Sequence, residues 1–210
     1  MNQIRIINER IKKEICYKTL EELMDIKLLS EYKECKSVKN NIKNFSNILE
    51  KYIDKETIDK IINDYLLQLI PPGTKAVIRG NKFNNIVKQY ILNLSLDINR
   101  FEIIFEKNCN LYLMDEIPDW YILEKSTNKI IIGMNQLALW GGGQQSNRGT
   151  KYINNDKYND KMCKLLCVVC NKIQFKNKKN KTYKLFETGF KNNTLCYLNN
   201  LKNIIITYFN

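Results

Sequence analysis

The sequence predicts an α/β protein with a mixed central β-sheet flanked by helices, preceded by an N-terminal helical subdomain. Three observations carry this. Residues 1–70 hold apolar positions at helical spacing on a hydrophilic background, Pro71, Pro72 and Gly73 interrupt that pattern, and four short apolar runs with strand character follow. With 210 residues, 44% of them hydrophobic, the chain has material for one good core and a small helical appendage. The expected division is 1–70 for the helical subdomain and 71–210 for the α/β domain.

In the first part, "LEELMDIKLL", "IKNFSNILEKYI" and "IDKIINDYLLQLI" each read as an amphipathic helix. "DKET" at 54–57 supplies N-cap chemistry for the third. Beyond the prolines, "RGNKFNNIVKQYILNL" places Phe83, Ile86, Val87, Tyr90, Ile91 and Leu94 at three- and four-residue steps, a helix laid on a core.

The strand candidates are "RFEIIFEK" (100–107), "DWYILEK" (119–125), "KIIIGMNQ" (129–136) and "KLLCVVCN" (164–171). Their near-continuous apolar character predicts burial on both faces. "STN" between the second and third is short enough for a hairpin, whereas about thirty residues separate the third and fourth, room for a crossover helix. "TLCYLNNLKNIIITYF" reads as a closing amphipathic helix, and "KNKKNK" (176–181) is the one low-complexity patch.

Lys and Arg outnumber Asp and Glu by 34 to 22, a formal net charge of +12, which favours a polyanionic partner and nucleic acid first. The competing account is compositional, since Lys is also the default solvated surface residue. There is no histidine, which excludes Ser-His-Asp and Cys-His nucleophiles, H-E-x-x-H zinc hydrolysis and zinc deaminases. No apolar run approaches the roughly 20 residues of a membrane span, and the charged start does not resemble a signal peptide. Seven cysteines without a secretory signal suggest reduced thiols and an intracellular location. Cys163, Cys167 and Cys170 invite a zinc reading, but residues three apart on a strand point to opposite faces, so buried free thiols are expected.

The predicted order of helix, three strands, crossover and strand, with Pro118-Asp119 opening the second strand and amides at the exit of the third, resembles the PD-(D/E)XK nuclease superfamily. Many type II restriction endonucleases belong to it. The resemblance covers roughly residues 75–172. It implies a restriction-endonuclease-like αβββαβ core and hydrolysis of double-stranded DNA at a specific sequence. It also implies Mg²⁺ or Mn²⁺ as cofactor, the metal activating water for attack on phosphorus, and a homodimer, for which the N-terminal third offers an interface.

Carried over residue by residue, Asp119 stands where the family's first metal ligand stands. The acid-x-Lys triplet falls on Gly133, Met134 and Asn135, and a one-residue shift gives Met134 and Gln136, so neither register restores the acid or the lysine. The resemblance then implies Asn135 or Gln136 as the group that orients water or phosphate. A replacement acid is sought in Glu106, Glu116 or Glu124. Many relatives carry an acid soon after "RG..F", where this chain has Asn84 and Asn85. The bland readings are a turn residue after proline for Asp119 and a polar strand end for the two amides.

"WGGGQQSNRGTKY" lacks the Lys of a phosphate loop and the third glycine of a dinucleotide fingerprint, so no nucleotide cofactor is expected. Its Gln144, Gln145 and Asn147 suit adenine and Arg148 suits guanine or phosphate, which predicts a DNA-recognition loop running into the crossover helix. Arg79, Lys82, Lys178 and Lys181 are candidate phosphate contacts. Two alternatives to a restriction-type endonuclease stand beside it: a non-catalytic nucleic-acid-binding module on the same scaffold, and a helical interaction protein whose charge is compositional.

Overall fold

A computed structural model describes residues 28–109, 116–137, 144–154, 161–170 and 181–210. The chain divides into two compact units, one ending at Arg79 and the other spanning Gly80–Asn210. Lys178 lies outside the described residues, as do Asp115, most of the first predicted helix, Trp140 and the three consecutive glycines.

In the first unit, helices α1 (Leu29–Glu34), α2 (Lys36–Leu49) and α3 (Lys55–Leu69) enclose Tyr32, Val38, Leu66 and Ile70. Asp54 caps α3 as expected: its Oδ1 accepts the Thr57 N–H at 2.9 Å and its Oδ2 the Thr57 hydroxyl at 2.7 Å. The prolines end α3 but do not hold off the next helix. Helix α4 (Pro72–Leu92) begins at Pro72, because a first-turn residue needs no N–H partner and proline's φ already suits a helix. The division between the units falls inside α4, at Arg79 and Gly80.

The second unit is a five-stranded mixed sheet with helices on both faces. Strands β1 (Phe101–Phe105), β2 (Trp120–Glu124) and β3 (Ile130–Gln136) form an antiparallel meander, and β4 (Cys163–Val169) and β5 (Leu195–Tyr197) continue it in parallel, in the order β1-β2-β3-β4-β5. Helix α5 (Gln144–Ile153) is the crossover from β3 to β4, and α6 (Lys181–Lys191) connects β4 to β5. Helix α7 (Leu198–Phe209) ends the chain.

Alternation along the strands sorts the core into two layers. Trp120, Ile122, Ile131, Leu166 and Val168 pack against Phe83, Val87 and Ile91 of α4 and Leu201, Ile205 and Phe209 of α7. Ile130, Ile132, Met134, Leu165, Cys167 and Val169 pack against Tyr152 of α5 and Phe186 of α6. The central strands β3 and β4 are buried on both faces as expected, whereas edge strand β1 is largely half-buried, since only one neighbour and partial helix cover reach it.

Three expectations need correction. Ile86 is 47% exposed, because on α4 it falls outside the arc of Phe83, Val87 and Ile91. "TLCYLNNLKNIIITYF" is not one helix: Leu195–Tyr197 pairs with Cys167–Val169 as a strand before the helix starts at Leu198. Of the three thiols expected to be buried, Cys163 and Cys167 are, but Cys170, just past the end of β4, is exposed. Among the described residues, no helix is long and apolar enough to cross a membrane.

A buried carboxylate ties the end of the chain to the sheet. Glu124 accepts from the Thr127 hydroxyl and from Arg100 Nε at 2.6 Å, while Arg100 also donates to the Phe209 carbonyl at 2.7 Å. The Thr127 and Arg100 hydrogen bonds hold the Glu124 carboxyl below its ordinary pKa. Its contribution to stability is therefore complete above the ordinary glutamate value and is lost as pH falls through the lower folded value. Urea unfolding from about pH 7 down to about pH 3 tests this: Glu124→Gln is expected to be less stable than wild type at neutral pH, with the gap closing on acidification.

Candidate functional site

Asp119 lies where β2 begins, immediately after the buried Pro118. The β2–β3 ladder ends at the pair Trp120 and Gly133, so the Asn135 N–H has no strand carbonyl opposite it. Asp119 supplies the acceptor: its Oδ2 takes that N–H at 2.6 Å. Its Oδ1 accepts from Asn84 Nδ2 of α4 at 3.2 Å. The Asn135 side chain turns to the next residue, its Oδ1 accepting from Trp120 Nε1 at 3.0 Å. Asp119, Asn84, Asn135 and Trp120 thus form one hydrogen-bonded group at the C-terminal end of β3.

Gly133 explains why the group has this form. A Cβ built there would overlap Cε2, Cζ2 and Cδ2 of the Trp120 indole, which is 1% exposed and has no room to retreat. Any side chain at 133, an acid included, displaces the tryptophan. The same logic applies at 84. A carboxylate there would face Asp119 at hydrogen-bond distance, like charge against like, whereas an amide donates.

The other predicted site residues do not gather here in the same way. Gln136 is buried, but it follows Asn135 on β3 and so points to the opposite face of the sheet. Glu106 is exposed with φ 52°, and its N–H donates to the Asp119 carbonyl at 3.1 Å, a main-chain link across the ladder. Glu116 is paired with Lys151 of α5 at 3.0 Å. Glu124 belongs to the Arg100 network at the far end of β2.

Among the described residues, no three His, Cys, Asp or Glu side chains converge to hold a metal ion. Mg²⁺ requires near-octahedral oxygen ligation at about 2.0–2.1 Å. One carboxylate already holding two N–H donors, beside a closed position 133, does not fit that demand.

The Asp119 charge is felt by one more neighbour. Burial first, then Cys196, then the Asp119 carboxylate push the Cys167 thiol well above its ordinary pKa. Burial pushes Cys196 up to about 12. Both thiols are protonated and unreactive at neutral pH.

The remaining candidates lie on helices. Gln144, Gln145, Asn147 and Arg148 fall within α5 itself, which corrects the expectation of a recognition loop at these positions; Asn147 is exposed. Lys181 is the exposed first residue of α6. Arg79 is half-buried at the end of the first unit.

Lys82 is exposed on α4, and with it comes a feature the sequence reading missed. Lys82, Asn85 and Gln89 share the helix face opposite Phe83, Val87 and Ile91, and with Asn93 just beyond the helix, Tyr90, Leu198 and the exposed Ile86 they line a shallow groove of about 380 Å³. The three- and four-residue steps of these polar residues were the available signal.

No family model matches the chain, and no curated protein or solved structure does either.

The packing of Trp120 on Gly133 yields a direct test. Gly133→Ala is expected to destabilise the fold by roughly 3 kcal/mol, the upper part of the overpacking range, measured by urea unfolding. Pairing it with Trp120→Leu, which vacates the overlapped space, should recover part of that loss.

Proposed function

We propose that the α/β unit binds double-stranded DNA and does not hydrolyse it. The observation that carries this reading is the groove along α4, where one ammonium and three amides stand together around Ile86, Tyr90 and Leu198. Amides of this kind pair with base edges, and a lysine neutralises phosphate. The net charge of +12 supplies the long-range attraction such a surface needs.

Hydrolysis is left out of the reading because of the Asp119 group. The residues that would complete a metal centre are replaced by a hydrogen-bonded set that is consistent within itself: Asn84 in place of an acid, Gly133 beneath an indole, and Asn135 in place of a lysine. In this arrangement Asp119 holds the end of the sheet and orients α4 against it, so its role is structural support of the binding face.

Fluorescence anisotropy with labelled duplexes across a salt series tests the proposal. Affinity is expected to fall steeply with salt, and Lys82→Gln to weaken binding to all sequences while lowering the salt slope by about 1. Gln89→Ala is expected to change the preference among sequences. Duplexes incubated with Mg²⁺ or Mn²⁺ should stay intact. Cleavage that disappears in Asp119→Asn would replace this reading with the metal-dependent endonuclease, and absence of low-salt binding would remove both.

A further inference from the structure

The second unit has another cavity, at the opposite end of the sheet from Asp119. Lys129 precedes β3, Lys161 and Lys164 lie at the start of β4, and β3 and β4 run parallel, so all three reach the same sheet end. Asn193, before β5, and Asn200 and Asn203 of α7 complete the polar lining of a cavity of about 570 Å³. None of these residues belongs to the α4 groove.

We propose that this cavity is a binding site for a phosphomonoester, the terminal phosphate of a nucleotide or of a nucleic-acid end. The inference stands apart from duplex binding: it uses other residues and a different charge state of phosphate.

The first argument is an excess of positive charge. Three ammonium groups line one cavity whose described lining includes no carboxylate. Glu124 feels the Lys129 charge, but its hydrogen bonds go to Thr127 and Arg100. Lys129 is itself held in place, its Nζ donating to the Tyr208 carbonyl at 3.3 Å and lying 5.6 Å from the centre of the Tyr208 ring. Lys164 is half-buried, and burial lowers its pKa. An ammonium stripped of part of its water and given no anion gains most when an anion arrives.

The second argument is the chemistry of the remaining lining. Asn193, Asn200, Asn203 and the Thr207 hydroxyl are neutral donors that also accept. They suit a ligand with several oxygens and hydroxyls, such as a phosphorylated sugar. The volume lies within the range of about 300–1,000 Å³ typical of small-molecule sites.

The third argument is valence. A phosphate monoester carries about two negative charges at neutral pH, whereas each internal phosphodiester of a nucleic acid carries one. Three converging ammonium groups match the former better.

The full-length chain is titrated calorimetrically at low salt with adenosine monophosphate, inorganic phosphate and adenosine. In parallel, single-stranded oligonucleotides bearing a 5′-phosphate or a 5′-hydroxyl are compared by anisotropy. Phosphate-dependent binding is expected, with adenosine inert. Lys161→Gln and Lys164→Gln should each weaken binding at least tenfold and Asn203→Ala severalfold. Lys202→Gln removes the same charge from an exposed α7 position outside the cavity and is expected to have no effect.

Because Lys161 and Asn203 are exposed, their variants test the site even if Lys164→Gln perturbs the fold. Preference for the free nucleotide identifies small nucleotides as the source, and preference for the 5′-phosphorylated oligonucleotide identifies nucleic-acid ends. Equal binding of adenosine and its monophosphate, no binding of any phosphate compound, or indifference to Lys161 and Asn203 would overturn the proposal. Absence of duplex binding, or duplex binding indifferent to Lys82→Gln, with retained monophosphate binding would overturn only the duplex reading.

Discussion

The contact between the Trp120 indole and the bare backbone of Gly133 is the constraint around which the α/β unit is arranged. The two residues are cross-strand partners in the β2–β3 ladder, and only glycine admits the ring at that point. A slip of one residue would set the indole against Ile132 or Met134 and turn every β3 side chain to the wrong face. The register fixed in this way carries Asp119 to the end of the ladder beside Asn135 and brings α4 down through Asn84. Helix α4 then buries Phe83, Val87 and Ile91 on one side and presents its polar stripe on the other.

Much of this arrangement was legible in the sequence, for reasons particular to each element. The runs around Ile103, Ile122, Ile131 and Leu166 announce strands because β-branched and aromatic side chains suit a pleated, buried surface. The short "STN" link forced an antiparallel pair, and the long Gly-rich connection permitted a parallel one. Leu195–Tyr197 escaped notice because three residues display no period, and their strand character comes from pairing with β4. Helix α6 escaped because its apolar residues Phe186 and Phe190 sit behind a lysine- and asparagine-rich approach. Helix α4 began early because Pro71 and Pro72 look like a break, but Pro71 lies before the helix and Pro72 is tolerated as its first residue.

The candidate site was legible in a different sense. Asp119, Asn84, Gly133 and Asn135 each drew attention as positions compared with a nuclease pattern, and three of them departed from it. One chain does not reveal that departures scattered over fifty residues are neighbours in space. Once together they account for one another: an amide where a second charge would repel, a glycine where a ring must lie, and an amide oxygen for the indole N–H. Gln136, adjacent to Asn135 in sequence, is separated from it by the full thickness of the strand. Glu106 and Glu116 are near Asp119 along the chain but serve a backbone link and an ion pair.

The mixed character of the sheet has a kinetic side. Five residues, 125–129, join β2 to β3, whereas 26, 137–162, lie between β3 and β4. Closing the longer connection costs roughly 1.5 kcal/mol more chain entropy before any contact repays it. The antiparallel half is therefore the local half, able to assemble from neighbouring sequence, while the parallel half must wait for its crossover helices. The Asp119 carboxylate and the Asn135 N–H it holds belong to the first, whereas the lysine-lined cavity needs Lys161 and Lys164 from across the long connection and is complete only with the second.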